Sequence, residues 1–169
     1  YAEDDYRLIK DFILSTGIRY NYDENYGSHV SPRIYGIYNL NDFFALKGGV
    51  STGYATPDIK QRTQDLALPF AGGRGAQLGR SSLKPETSVS YEFGGVYNDN
   101  EGFEASLTGF YTSFKDMLSY RPICSRGSVC RHKGKIYPNG IWESVNIGKA
   151  EIYGVDTLRD FETIFSPQD

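Results

Sequence analysis

The connections between the predicted strands of this chain alternate between short and long. Six segments of about ten to fifteen residues show the two-residue periodicity of strands. Long connections are predicted over 23–30, 56–84 and 119–143, and the short ones between them are an Asn41-Asp42 turn and a turn over 99–102. An antiparallel meander with short turns on one side and long loops on the other is typical of an outer-membrane barrel.

Four of the six predicted strands separate into an apolar and a polar face. The predicted strands cover 12–22, 31–40, 44–54, 86–98, 103–117 and 145–160. In the fourth, Tyr91 and Phe93 lie on the apolar face, and we expect Glu92 to point inward because a carboxylate facing lipid is costly. In the second and sixth strands, apolar residues occupy both odd and even positions, so the side of each strand that faces lipid stays open.

The pattern predicts an all-β fold, an antiparallel up-and-down transmembrane β-barrel, present here as a partial set of about six strands with long external loops. Soluble strands average about five or six residues, so longer segments favour a barrel over a sandwich. The smallest packed barrel needs about eight strands, and we therefore expect a piece of a larger barrel. A soluble antiparallel sandwich would show the same alternation and stays open as the alternative.

Composition argues against several other classes of protein. No segment approaches the about 20 consecutive apolar residues of a transmembrane helix, while 14 Tyr and 10 Phe suit barrel strands. The net charge of −3 argues against a nucleic-acid groove. His29 and His132 fall in predicted loops, and no phosphate-binding motif follows the glycines of 72–75, so we expect no enzyme.

Two cysteines lie close together in the last long loop. We expect Cys124 and Cys130 to form a disulfide, because nearby thiols in an oxidising compartment usually pair. Zinc is the alternative, with Cys124, Cys130 and His132 as three ligands, although no fourth ligand has a clear spacing.

Five stretches of the sequence, in their order along the chain, carry a family resemblance. They are Ser31-Pro32-Arg33, LKGGVSTGYATP at 46–57, LKPETS at 83–88, FYTSFKDM at 110–117 and NIGKAEIYGVD at 146–156. Together they resemble the C-terminal half of TonB-dependent outer-membrane receptors. Within that family the chain is most similar to receptors for ferric catecholate siderophores, the enterobactin and colicin I receptor group.

The resemblance implies a barrel of about 22 strands filled by an N-terminal plug, with a TonB box that contacts the TonB protein. We expect residues 1–169 to be part of that barrel, with the plug, the TonB box and the last strands outside this sequence. The implied function is TonB-dependent uptake of a ferric siderophore across the outer membrane. A passive porin or adhesin barrel, and a receptor for haem or a hydroxamate, stay open as alternatives.

Basic and aromatic residues of the long loops are the candidate ligand-binding residues. A ferric tris-catecholate is a trianion with aromatic rings, which Arg together with Tyr or Trp recognises through charge and stacking. The candidates are Arg74, Arg80, Arg121, Arg126, Arg131, His132, Lys133, Tyr137 and Trp142. Basic external loops also meet the phosphates of lipopolysaccharide, and both explanations stay open.

The resemblance also implies the partners. These are the ferric siderophore, TonB, outer-membrane lipid including lipopolysaccharide, and colicins or phage that use the loops. Iron arrives inside its chelator, so we expect no protein-bound cofactor and no metal site.

Overall fold

The computed structural model describes residues 1–64, 66–99 and 101–161, and its regular structure is almost entirely β. The strands are β1 (Ala2–Ile9), β2 (Phe12–Asp23), β3 (Gly27–Asn39), β4 (Phe44–Ala55), β5 (Ala67–Phe70), β6 (Gly75–Leu78), β7 (Glu86–Asn98), β8 (Phe103–Cys124), β9 (Arg131–His132), β10 (Lys135–Ile136) and β11 (Ile141–Phe161). One helical turn, α1 (Ile59–Arg62), follows β4. The described residues contain no helix that could span a membrane.

Seven strands form an antiparallel meander, in the order β1-β2-β3-β4-β7-β8-β11, and β6 and β5 extend the sheet beyond β11. The β6 strand pairs in parallel with β11 over Ile141 to Glu143 only. In the described part of the chain, β1 and the rest of β11 each keep one unpaired edge. The sheet is therefore a wall segment of an incomplete barrel.

The connections on one side of the meander are all short, and both long connections lie on the other side. The short side has the connections 10–11, 40–43 and 99–102, and the other side has 24–26, 56–85 and 125–140. In the last short turn the Asp99 carboxylate accepts hydrogen bonds from the backbone N–H of Phe103 (2.9 Å) and Glu101 (2.8 Å). These bonds, chiefly that of Phe103, hold the pKa of Asp99 below its ordinary value.

All six predicted strands are present, but two predicted loops are too long. The loop over 23–30 is wrong because β3 begins at Gly27 and pairs with β2 up to Asp23. His29 therefore lies in a strand, where its ring stacks on Tyr54 with centroids 4.0 Å apart. The last loop covers 125–140 rather than 119–143, since β8 and β11 pair as far as Cys124 and Ile141.

The sequence did not reveal β1. Its residues, AEDDYRLI, place acidic side chains at successive positions and show no apolar alternation, and all eight are exposed. Its strand conformation comes from pairing with β2, where Ala2 lies opposite Ile18. A non-local ladder of this kind leaves no periodic signal in the strand itself.

The apolar side chains of the meander share one face of the sheet, and that face is exposed. Ile34, Val50, Tyr91 and Tyr111 follow one another in register across four strands, and they are 56%, 40%, 50% and 37% exposed. An exposed apolar surface of this extent requires a nonpolar environment.

The opposite face of the meander is polar. Glu92 lies there beside Arg33, Tyr35 and Ser51, which agrees with the expectation that Glu92 points inward. The register also settles the two strands whose facing stayed open. Ile34 and Tyr38 of β3, and Tyr153 and Val155 of β11, lie on the apolar face.

Aromatic side chains form two rows on the apolar face. Phe44, Tyr97 and Phe103 form the row near the short turns, with centroid separations of 4.8 and 6.1 Å. Tyr91, Tyr111 and Tyr153 form the second row, in register across β7, β8 and β11. Aromatic girdles flank the apolar band of outer-membrane barrels in this way.

The transmembrane barrel fold is confirmed and the sandwich alternative is wrong. Among the described residues, the one sheet outside the meander is the two-stranded β9–β10 ribbon, which is far too small to cover an apolar face. The packed core lies instead at the long connections, where Ala76, Cys130 and Tyr137 form a buried cluster with Ile141, the first residue of β11.

Candidate functional site

The two long connections, 56–85 and 125–140, pack together into one unit that we call the loop layer. Parallel pairing of β6 with β11 joins them, with Ala76 opposite Ile141. Two further backbone hydrogen bonds connect them directly, from Asn139 N–H to the Arg74 carbonyl (2.8 Å) and from Ala76 N–H to the Gly140 carbonyl (3.2 Å). The candidate residues of the two connections therefore belong to one connected unit.

A long hairpin supports the loop layer. The β7 strand pairs with β8 as far as Lys115, whereas β8 and β11 continue to pair up to Cys124. The segments 116–124 and 141–148, which we call the overhang, project beyond the neighbouring strands. At about 3.3 Å per residue, the nine residues after Lys115 extend over about 30 Å.

The predicted disulfide between Cys124 and Cys130 is confirmed. It closes the end of the overhang, with a Cα–Cα distance of 5.7 Å. The zinc alternative is wrong, because sulfurs joined in a disulfide cannot bind a metal as thiolates. His132 lies next to this bridge in β9, and its Nε2 atom is buried with no hydrogen-bond partner among the described atoms.

Glu143 connects the first long connection to the overhang, and the sequence analysis missed it. Its carboxylate accepts a hydrogen bond from Arg121 Nη2 at 2.9 Å and lies 3.7 Å from Arg80 Nη1. Glu143 is the one acidic residue in the segment 119–143. An isolated carboxylate among many cations was the available signal, because such a group is a natural ion-pair partner.

Asn146 fixes the end of the first long connection. Its side-chain oxygen accepts from the backbone N–H of Lys84 (2.8 Å), and its side-chain nitrogen donates to the carbonyls of Lys84 (2.9 Å) and Asp116 (2.7 Å). The Tyr26 hydroxyl donates to the Leu83 carbonyl at 2.9 Å. The first connection is thus held at both β11 and the β2–β3 turn.

The predicted site residues fall into two groups. Four of them make contacts that hold the long connections in place. Arg80 and Arg121 bind Glu143, Tyr137 is buried with Lys135 Nζ 5.4 Å from its ring, and Trp142 packs edge-on against Phe70 at 5.1 Å. His132 is half-buried in β9. The others are exposed, and the side chains of Arg74, Arg126 and Arg131 make no ion pair within the described residues. Lys133 is exposed as well.

Charge is distributed unequally between the two sides of the sheet. The two long connections hold nine of the 18 basic residues of the chain and two of its 21 acidic residues. The three short connections hold Lys10 and four acidic residues, Asp11, Asp42, Asp99 and Glu101. Positive charge is therefore concentrated in the long connections of an otherwise acidic chain.

An open antiparallel meander with an exposed apolar face, two aromatic rows and all its long loops on one side defines a wall segment of an outer-membrane β-barrel. The chain belongs to the family described as TonB dependent receptor-like, beta-barrel, whose model matches residues 1–164. The chain is therefore an outer-membrane barrel segment, and the loop layer faces outward.

Comparison with known proteins supports this assignment. The chain is 38% identical over 156 residues to the iron-regulated outer membrane virulence protein of Vibrio cholerae serotype O1. The match covers 92% of this chain and 23% of that relative. The siderophore receptor PirA from Pseudomonas aeruginosa superposes with a TM-score of 0.73 at 23% identity, over 92% of this chain and 29% of PirA, which shows the fold alone.

A mutant ferric enterobactin receptor from Pseudomonas aeruginosa, solved in complex with enterobactin, superposes with a TM-score of 0.68 at 27% identity. The match covers 92% of this chain and 23% of that receptor. The chain spans about a quarter of the length of the relatives it matches.

Proposed function

We propose that this chain forms part of the barrel of a TonB-dependent receptor that takes up a ferric siderophore of the catecholate type. The remaining strands, the plug and the TonB box belong to the rest of the intact receptor. The proposal is supported by the family of the chain and by relatives named as siderophore and ferric enterobactin receptors.

The observation that carries the proposal is the cationic outward surface. Arg74, Arg126 and Arg131 are exposed there without a carboxylate partner among the described residues, so their guanidinium groups can bind an anion without first breaking an ion pair. A ferric tris-catecholate carries three negative charges, and Arg binds anionic oxygens through charge-assisted hydrogen bonds.

The proposed site needs no resident cofactor, because the iron arrives coordinated by its chelator. The free arginines capture the complex, and the ion pairs of Glu143 and the hydrogen bonds of Asn146 hold the loop layer in place around it. Tyr137 and Trp142 support the layer from within. Release into the periplasm is assigned to the TonB-coupled plug of the intact receptor.

The test uses the intact receptor in detergent, titrated with a ferric tris-catecholate, a ferric hydroxamate and haem while intrinsic fluorescence quenching is followed. We expect submicromolar binding of the catecholate alone. In an Arg126→Gln/Arg131→Gln variant the Kd should rise about a hundredfold, since each lost charged hydrogen bond costs about tenfold.

The matched control is Arg7→Gln/Lys10→Gln, which removes the same two charges on the short-turn side and should leave the Kd unchanged. Equal loss in both double variants would show a nonspecific charge effect. Absence of any response to the three complexes would refute the siderophore proposal and indicate another cargo or an uncoupled barrel.

A further inference from the structure

Two lysines face each other directly across β8 and β11 on the lipid-facing side of the wall. Lys115 lies opposite Lys149 in the antiparallel register, and both residues are exposed. Their positions have the same parity as Tyr111 and Tyr153 of the second aromatic row. Because strand side chains alternate between faces, both lysines leave the sheet on the apolar face.

Nearby carboxylates balance the charge of this pair only in part. Like charges directly opposite on neighbouring strands are destabilising. Within the described residues neither lysine forms an ion pair. Glu151 lies two residues along β11 on the same face, and its single negative charge offsets only one of the two ammonium charges. The β7 residue beside the pair is Thr87, which is neutral.

The lysine pair lies at the outer boundary of the membrane. Four residues separate Lys115 from Tyr111 and Lys149 from Tyr153, which is about 13 Å along the strands toward the overhang. Aromatic rows mark the level where acyl chains meet headgroups. The two ammonium groups therefore lie at the headgroup level of the outer leaflet.

We propose that Lys115 and Lys149 form a docking site for a phosphate group of lipopolysaccharide. A phosphate placed between the two ammonium groups removes their mutual repulsion and binds both as point charges. The acyl chains of the same molecule then pack on the apolar face, where Tyr153 and Val155 are 77% and 66% exposed. A soluble anion would bind the two ammonium groups but would have no acyl chains to pack on the apolar face, so the site favours a lipid.

The test measures binding to the intact receptor in detergent by native mass spectrometry. The probes are bisphosphorylated lipid A, its dephosphorylated form, phosphatidylglycerol and inorganic phosphate. In Lys115→Gln/Lys149→Gln the Kd of bisphosphorylated lipid A should rise about 25-fold, about fivefold for each lysine. Dephosphorylated lipid A should bind the unchanged receptor as weakly as the bisphosphorylated form binds the variant.

The matched control, Lys10→Gln/Arg159→Gln, removes two charges at the opposite end of the sheet and should keep full affinity. Lys115→Arg/Lys149→Arg keeps both charges and should also keep full affinity. If the glutamine double variant does not fold, the single variant Lys149→Gln replaces it, and its affinity for bisphosphorylated lipid A should fall about fivefold. Unchanged affinity in the glutamine variants, an equal loss in the control, or equally tight binding of phosphatidylglycerol or inorganic phosphate would overturn the proposal.

Discussion

At Gly49, in the middle of β4, the neighbouring strand leaves no room for a side chain. Gly49 lies opposite Tyr35 of β3, and a Cβ atom at Gly49 would lie 2.9 Å from the Tyr35 Cα atom. The glycine thus allows the Tyr35 ring to lie flat over the ladder. Gly154 has the same relation to Phe110, whose Cζ atom would lie 2.9 Å from an added Cβ.

We therefore expect Gly49→Ala to destabilise the barrel by about 1–3 kcal/mol, the usual cost of forcing an extra methyl group into a packed site. The matched control is Gly109→Ala, where the nearest atom to an added Cβ is the Phe93 carbonyl oxygen at 3.8 Å. Urea unfolding of the intact receptor in detergent measures both variants. Equal midpoints for the two would contradict this account of Gly49.

At the scale of the elements, one carboxylate joins the first long connection to both strands of the overhang. Glu143 lies on β11, while its partners come from β8 and from the connection that contains β6. The Arg80 and Arg121 side chains are 46% and 61% exposed, so solvent weakens each ion pair and each contributes about 1 kcal/mol at most. The two ion pairs therefore fix the position of the first long connection and add little to the stability of the barrel.

We expect Glu143→Gln to loosen the loop layer without unfolding the meander. Hydrogen exchange of the backbone amides of 74–80 should become about fivefold faster, as a loss of about 1 kcal/mol predicts. Exchange in β7 should not change. The matched control is Glu24→Gln, which removes an exposed carboxylate in the β2–β3 turn and should change exchange neither in 74–80 nor in β7. If exchange of 74–80 is unchanged in Glu143→Gln, Glu143 does not hold the first connection in place.

The elements that sequence predicts well are those whose own side chains carry the pattern. The β4 and β7 strands alternate regularly, and their predicted bounds agree with the structure within a residue. The β1 strand and the ends of β8 and β11 have no such alternation, because partner strands determine them. The sequence likewise located the cationic residues but not Glu143 as their partner, since the pairing depends on how two distant connections pack.

At the scale of the whole molecule, the wall separates a cationic outward surface from acidic short turns. If the cargo is the proposed ferric tris-catecholate, the positive potential of the outward surface attracts this trianion toward the loops. The association rate of a ferric tris-catecholate with the intact receptor should fall about tenfold or more between low salt and about 0.5 M salt, while its dissociation rate changes little. A neutral ferric complex is the control, and a salt-independent rate for the trianion would refute steering.

The length of the overhang determines how far its outer end moves when the hairpin tilts. A hairpin of about 30 Å that tilts by about 10° at the level of Lys115 displaces its end by about 5 Å. Because Glu143 and the β6–β11 pairing hold the first connection to the same hairpin, the displacement carries both long connections together. A small change of angle at the membrane surface therefore becomes a movement as large as a strand spacing at the outer end.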